Sequence, residues 1–303
     1  MLIKYKNYNF RKGTKALIYQ AQEILNDYSE QGYVLTVRQL YYQFVSKDLL
    51  ENNEKNYKML INTITKARLA GMISWHSIED RNRKTVEWQK EESEHNVLSG
   101  IEYNLQFDYW ARQDHYVEVW VEKDALSSVI EKPCRKLRVP YLACKGYLSS
   151  SEAWRAGQRY EKALEAGKKC VLIHLGDHDP SGIDMTRDNQ DRMDLFTQNA
   201  GVDLRRIALN RDQIDDYSPP PNPTKLTDSR AIDYIKQHGN SSWELDALEP
   251  KIIDKLITQE INGMIDHDVW NKTRGEELSS RDALEALGDN WSEIREHVTE
   301  NYL

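Results

Sequence analysis

Apolar positions along this chain follow two rhythms. Between residues 14 and 30, Leu17, Ile18, Ala21, Ile24, Leu25 and Tyr28 recur at helical spacing and lie on one face. The pattern restarts at Thr36, where Thr36 and Gln39 form a capping box at the start of a second helix. The apolar stripe of that helix is Val37, Leu40, Tyr41, Phe44 and Val45. Tyr41 falls inside the stripe and reads as core, whereas Tyr42 falls outside it and shares a more exposed flank with Arg38, one turn earlier. A third helix is predicted over 54–70, with Tyr57, Leu60, Ile61, Ile64 and Ala67 on its apolar face. Gly71-Met72-Ile73-Ser74-Trp75 is a short strand-like stretch before the polar run from Glu79 to Lys84. Three helices followed by a small β element read as a winged helix.

Beyond residue 115 the rhythm changes. Apolar, β-branched runs at Val117–Val121, 139–143, Val171–Leu175 and Val202–Leu209 alternate with helical patterns at 125–137, 150–166 and 181–199. Alternation of this kind predicts a parallel sheet flanked by helices. Residues 210–226 read as a polar, Pro-rich loop that stays extended around Ser218-Pro219-Pro220-Pro221-Asn222-Pro223, a linker with a lid as the alternative. Asp228 caps a further helix, and 277–303 read as acidic and helical. In Glu244-Leu245-Asp246-Ala247-Leu248 the two acids read as a helix-start pair, with Glu244 or Asp246 near the metals as the alternative and Glu244 the possible accessory. The predicted fold class is α/β. A winged-helix domain (1–95) precedes a Rossmann-like, mostly parallel sheet domain with a C-terminal helical extension (96–303).

Two of the buried runs end in carboxylates. Val117–Val121 stops at Glu122, and Val171–Leu175 runs into Gly176-Asp177-His178-Asp179-Pro180-Ser181-Gly182. Open α/β sheets place ligands at the carboxyl ends of their strands. Alternation along extended backbone points Asp177 and Asp179 the same way, so two hard oxygen ligands suit Mg2+. Two other readings stand beside this one: an N-capping turn, and the nucleophile pair of a haloacid-dehalogenase-type phosphatase with Ser181 as its hydroxyl. His174 reads as a core histidine, and His178 points away from the acids.

Charge adds a partner. The net charge of −8 is uneven: residues 1–90 hold 15 Lys and Arg against 9 Asp and Glu, and residues 91–303 hold 26 against 40. A basic first part fits contact with phosphates, and Lys55, Lys58, Lys66 and Arg68 of the third helix are the candidate DNA-binding residues. No apolar run approaches membrane-spanning length, and no signal-peptide pattern opens the chain. Cys134, Cys144 and Cys170 lack metal-ligand spacing, which excludes a zinc ribbon and reads as reduced thiols in the cytoplasm.

One Glu followed by a later Asp-x-Asp, each at a strand end, resembles the metal signature of the Toprim domain. Upstream, Leu35-Thr36-Val37-Arg38-Gln39-Leu40-Tyr41-Tyr42 resembles the motif around the catalytic tyrosine of the topoisomerase VI A subunit and its meiotic double-strand-break relatives. Glu122-Lys123 resembles the family's first Toprim motif, the run from Gly176 to Gly182 the second, and Lys145-Gly146-Tyr147 a turn between them. The order of domains is the same, over roughly residues 14–250, and the chain looks like the compact Mini-A relatives of bacteria, phages and plasmids.

The resemblance implies Tyr42 as nucleophile with Arg38 at the phosphate, and Mg2+ held by Glu122, Asp177 and Asp179, with Lys123, Gly182 and Glu244 as accessories. It implies double-stranded DNA as substrate and a 5′-phosphotyrosyl product. It further implies a homodimer in which the Tyr of one subunit works with the metal site of the other, a separate ATPase (B-type) partner for strand passage, and a location in the bacterial nucleoid or a host cytoplasm. The rival readings are a Toprim nuclease that uses metal-activated water and a non-catalytic DNA-binding subunit.

Overall fold

The computed structural model describes residues 2–78 and 91–302. Three helices come first: α1 (Lys12–Glu30), α2 (Val37–Ser46) and α3 (Glu54–Leu69). Their apolar faces meet in one core built from Ile18, Ile24, Leu40, Phe44, Leu60 and Ile64. Burial of these side chains is what holds the three helices together, since most helical stability in proteins comes from packing of an amphipathic face. The predicted capping box is present: Thr36 Oγ1 accepts from Gln39 N, and Gln39 Oε1 accepts from Thr36 N at 2.8 Å. After α4 (Glu94–Asn104) come β1 (His115–Val121), α5 (Ser127–Lys136), β2 (Tyr141–Ala143), α6 (Ser150–Glu165), β3 (Lys169–Leu175), α7 (Pro180–Phe196) and β4 (Val202–Ala208).

The four strands form one sheet in the order β2-β1-β3-β4, with β2 parallel to β1 and β4 parallel to β3. Right-handed crossovers put α5 on one face and α6 and α7 on the other, because the step from β1 to β2 runs opposite to the steps from β2 to β3 and β3 to β4. β1 and β3 lie in the middle and are buried along most of their length, which is why they read as continuous apolar runs. The remaining elements are α8 (Arg211–Tyr217), β5 (Asn222–Pro223), α9 (Ala231–His238), β6 (Ser241–Ser242), α10 (Pro250–Asn262), α11 (His267–Asp289) and α12 (Trp291–Tyr302). Among the described residues no helix is long and apolar enough to cross a membrane.

Several sequence expectations shift. Gly71–Ser74 is a turn leading to a single 3-10 turn at Trp75–Ser77, not a strand. Gly71 has a positive φ, and a Cβ there would crowd the Ile3 and Lys4 backbone at 3.1 Å. One parallel bridge, Leu35 to Ile78, is the only β pairing found here among the described residues. The polar run from Glu79 to Lys84 lies outside the described residues. The loop expected over 210–226 contains α8, started by an Asn210–Gln213 capping box, and its proline stretch ends in β5, which pairs antiparallel with β6. Asp228 holds the turn before α9 by accepting from Arg230 N at 2.9 Å, two residues before the capping position, which Arg230 occupies.

Contacts divide the chain into two units, one of residues 1–83 and 117–263, the other of 84–116 and 264–303. The first unites α1–α3 with the sheet, where the sequence reading sets a boundary at 95/96. In the second, α4 packs with α11, Tyr109 and Trp110 meet Trp270 edge-on, and buried Glu277 accepts from Phe107 N at 2.7 Å.

Candidate functional site

Glu122 and Asp177 follow directly on the two central strands, so their backbones are fixed by the sheet: Glu122 N donates to Leu175 O at 2.9 Å. The Asp177 N–H donates to Glu122 Oε2 at 2.8 Å, which ties the two acids together. Space for this contact comes from Gly182. A Cβ there would overlap the Asp177 carbonyl oxygen and approach Glu122 Oε2 to 3.0 Å. Arg206, on β4, gathers the loop from beneath. Its guanidinium donates to the carbonyls of Gly176 (2.9 Å), Asp177 (2.7 Å), Gly182 (3.1 Å) and Leu209 (3.2 Å) and to Thr186 Oγ1 (2.6 Å). Asp179 caps α7, accepting at Oδ1 from Gly182 N at 2.7 Å and from Ser181 Oγ at 3.0 Å. The capping reading therefore holds for Asp179, which is also half-buried at the edge of a cleft.

A distant segment completes the site. His178 and Trp243 exchange backbone hydrogen bonds, each 2.9 Å, and Leu245 N donates to Asp177 Oδ1 at 2.8 Å. This docking delivers Glu244 and Asp246, on either side of Leu245, to Lys123. The Lys123 ammonium donates to Glu244 Oε2 at 2.7 Å, Asp177 Oδ2 at 2.8 Å and Asp246 Oδ1 at 3.2 Å. From the other side, Arg38 of α2 pairs with Asp246 Oδ2 at 2.7 Å through Nε and with Glu244 through a second nitrogen. The Arg38 guanidinium lies 5.6 Å from the centre of the Tyr42 ring, and Tyr42 and Glu244 line the same cleft. Tyr42 is 6% exposed. The exposed flank expected from its helical position is covered by the 243–248 segment, which periodicity within α2 has no means of revealing.

The electrostatics follow from this crowding. Burial pushes Glu122 and Asp177 above the ordinary carboxylate range, with Lys123 opposing. Burial also resists the charge on Lys123 and on Arg38, but the carboxylates outweigh it and hold both cations firmly protonated. Burial opposes ionisation of Glu244, yet Lys123 and Arg38 hold its carboxyl down to about 2. Tyr42 is pushed above its usual value, first by burial and then by the charges on Asp246 and Glu244.

A cleft of about 560 Å3 opens beside Tyr42, lined also by Arg38, Asp179 and Glu244. Of the candidate DNA-binding residues, Lys55 is exposed and Lys58 pairs with Glu54 at 2.7 Å, while Lys66 is half-buried. Arg68 donates to Trp75 O at 2.8 Å and lies 4.4 Å over the Trp75 ring, a structural use. His174 is buried against Thr186, and His178 turns to Tyr234 at 2.7 Å, as expected for residues outside the acid cluster. Among the described residues no three His, Cys, Asp or Glu side chains are grouped as metal ligands. Asp246, here a central member of the network, reads in sequence as half of a helix-start pair, with a place near the metals as the alternative. Its signal was the unusual placing of two acids around a leucine in a segment otherwise apolar. No family description, curated protein or solved structure matches the chain.

Proposed function

We propose that this chain cleaves double-stranded DNA by transesterification at Tyr42, in the manner of the topoisomerase VI A subunit that its motifs resemble. The observation that carries the reading is the single ion network joining Arg38 of α2, which lies beside the Tyr42 ring, to Lys123, Asp177, Glu244 and Asp246 at the end of the sheet. The three-helix core of α1–α3 supports a winged helix, and the exposed Lys55 and Lys58 support contact with the DNA backbone.

The acids suit a hard divalent cation by their chemistry. Glu122, Asp177 and Asp179 offer oxygen donors, two of them buried and repelling one another, and the Lys123 ammonium stands in as the balancing cation. When bound there, Mg2+ supplies positive charge at the phosphate and at the departing 3′ oxygen. Arg38 orients the phosphate by paired N–H donors. Glu244 shares the cleft with Tyr42, and the pairing of Arg38 with Glu244 holds the guanidinium beside the Tyr42 ring. The Tyr42 Oη–phosphorus bond forms as the phosphorus–O3′ bond breaks, and the phenolic proton is carried by solvent to the departing 3′ oxygen, which becomes the 3′-hydroxyl; Glu244, held ionised by Lys123 and Arg38, is too weak a base to take it. Because Tyr42 shares a cleft with Asp179 and Glu244 of its own chain, the arrangement supports attack within one chain, with a homodimer cutting both strands. Strand passage would call on a separate ATPase partner.

A hydrolytic Toprim nuclease is the second reading. What favours it is the buried Tyr42 phenol, pushed away from ionisation by the neighbouring acids. One assay separates the readings: the chain and its Tyr42→Phe variant are incubated with supercoiled DNA and Mg2+ and quenched with detergent. A 5′-linked adduct lost in the variant supports transesterification. Cleavage without an adduct, equal in both, gives the hydrolytic enzyme. DNA binding with no cleavage by either gives a binding subunit.

A further inference from the structure

The cleft beside Tyr42 offers a second chemistry besides its acids Glu54, Asp179 and Glu244. Its wall includes the rings of Tyr41 and Tyr57, whose centroids are 5.1 Å apart and inclined at 52°. Across the mouth, Asn52 Nδ2 donates to Asn222 Oδ1 at 2.5 Å, so a carboxamide from the loop before α3 meets one from β5. The Asn222 amide nitrogen has no partner among the described residues. Lys225 also lines the cleft and is exposed, with no ion pair among the described residues, whereas Arg38 and Lys123 are each paired with carboxylates. Aromatic faces, carboxamides and an unengaged ammonium are the groups that together recognise a nucleotide: ring faces stack on a base, amides bond its edge, and the cation meets phosphate. A cleft of about 560 Å3 falls within the usual size of small-ligand sites, roughly 300–1,000 Å3.

We propose that this cleft holds one unstacked nucleotide of the DNA strand, next to the phosphate presented to Tyr42, with its base against Tyr57 and its edge on Asn52 and Asn222. This rests on the DNA-cleavage reading. Taking a base out of the stack is how enzymes reach positions a duplex hides. Here it would draw the adjoining phosphate down to a tyrosine that is itself buried. Lys225 would hold the nucleotide's other phosphate. The same chemistry would accept a free mononucleotide, so the test needs both sources.

The full chain carrying Tyr42→Phe, which cannot form an adduct, is mixed in Mg2+ with duplexes bearing 2-aminopurine at successive positions. The expected result is a severalfold fluorescence change at one position only. Asn52→Ala and Tyr57→Ala, each checked for a native melting curve, are expected to remove that change while weakening DNA binding by no more than about 150-fold, the upper end for one lost base stack. DNA bound with no change at any position, or a change untouched by both variants, overturns the proposal and leaves the cleavage reading standing. If no DNA binds, the cleavage reading is what fails, and 5′-mononucleotides are titrated instead. Saturable binding lost in Tyr57→Ala keeps the cleft as a nucleotide site fed from solution, and no binding overturns it.

Discussion

Arg38 Nε donates to Asp246 Oδ2 at 2.7 Å across 208 positions of sequence. The Asp246 side chain is wholly buried while Arg38 remains half-exposed, so the carboxylate depends on Arg38 and Lys123 for its neutralisation. This pair ties α2, and with it Tyr42, to the carboxyl edge of the sheet. Arg38→Ala leaves the buried acid with Lys123 alone. The expected loss is about 1–3 kcal/mol by urea unfolding, moderated by solvent around the guanidinium. Arg38→Lys is expected to recover only part of it, since an ammonium does not reproduce the two-pronged contact. An unchanged midpoint in Arg38→Ala would mean that the pair does not hold the two elements together.

The location of Tyr42 beside the acids of its own chain makes a second expectation. Tyr42→Phe and Asp177→Ala proteins, mixed and allowed to exchange subunits, produce hybrid dimers. If the centre forms within one chain, every hybrid lacks either a nucleophile or an acid in each centre, and supercoiled DNA stays intact. If the tyrosine acts on the partner's acids, each hybrid holds one whole centre and nicks the DNA. Gel conversion to the open-circular form decides between them.

Much of this arrangement is legible from local pattern. Periodicity predicts α1–α3, the capping box at Thr36 and the strands that place Glu122 and Asp177 side by side, because burial on one or two faces leaves a direct imprint on residue order. The parts that sequence reading misses come from tertiary docking. The pairing of Asp246 with Arg38 and the cover over Tyr42 arise from the His178–Trp243 backbone pairing, whose partners stand 65 residues apart by number. α8 is hidden because prolines just beyond it suggest an extended linker, although the Asn210–Gln213 box that starts it is itself a local signal.

Gly182 tests how tightly the acid loop is built. A methyl group there has nowhere to go, being trapped between the Asp177 carbonyl and the Glu122 carboxylate. Gly182→Ala is expected to cost about 1–3 kcal/mol through overpacking and to abolish cleavage by displacing both acids. Gly100→Ala, in α4 with open space around its Cβ position, serves as the comparison and is expected to hold or gain stability. Equal melting temperatures for the two variants would contradict the close packing at Gly182.

Acid stability offers a separate check at His174. Burial, then the Arg206 guanidinium, pushes its ring down to about 3 from the ordinary 6.5. The unfolded chain therefore takes up a proton that the folded chain refuses. The neutral, buried ring contributes stability that is intact above pH 6.5 and lost as pH falls toward 3. By pH 4.5 the loss is about 2–3 kcal/mol. His174→Leu removes this term, so its stability relative to wild type should improve by that amount between pH 7 and pH 4.5 in urea titrations. Parallel pH curves for the two proteins would assign the acid sensitivity elsewhere.

Lys123 gives the sharpest test of whether the acids await a divalent cation. Its ammonium balances Asp177, Glu244 and Asp246, so any cation entering among these acids competes with it. Lys123→Gln leaves buried carboxylates uncompensated and is expected to lower stability by about 3–5 kcal/mol without added metal. Mg2+ should then restore stability, by about 2.7 kcal/mol at a hundredfold excess over its dissociation constant. The increase should be smaller in wild type, where the ammonium resists displacement, and absent in Asp177→Asn, where a donor is lost. Calorimetric melting of the three proteins over an Mg2+ series reads this ranking without reference to catalysis. An equal shift in all three would assign the metal effect to the general surface and make Lys123 a purely structural counter-charge.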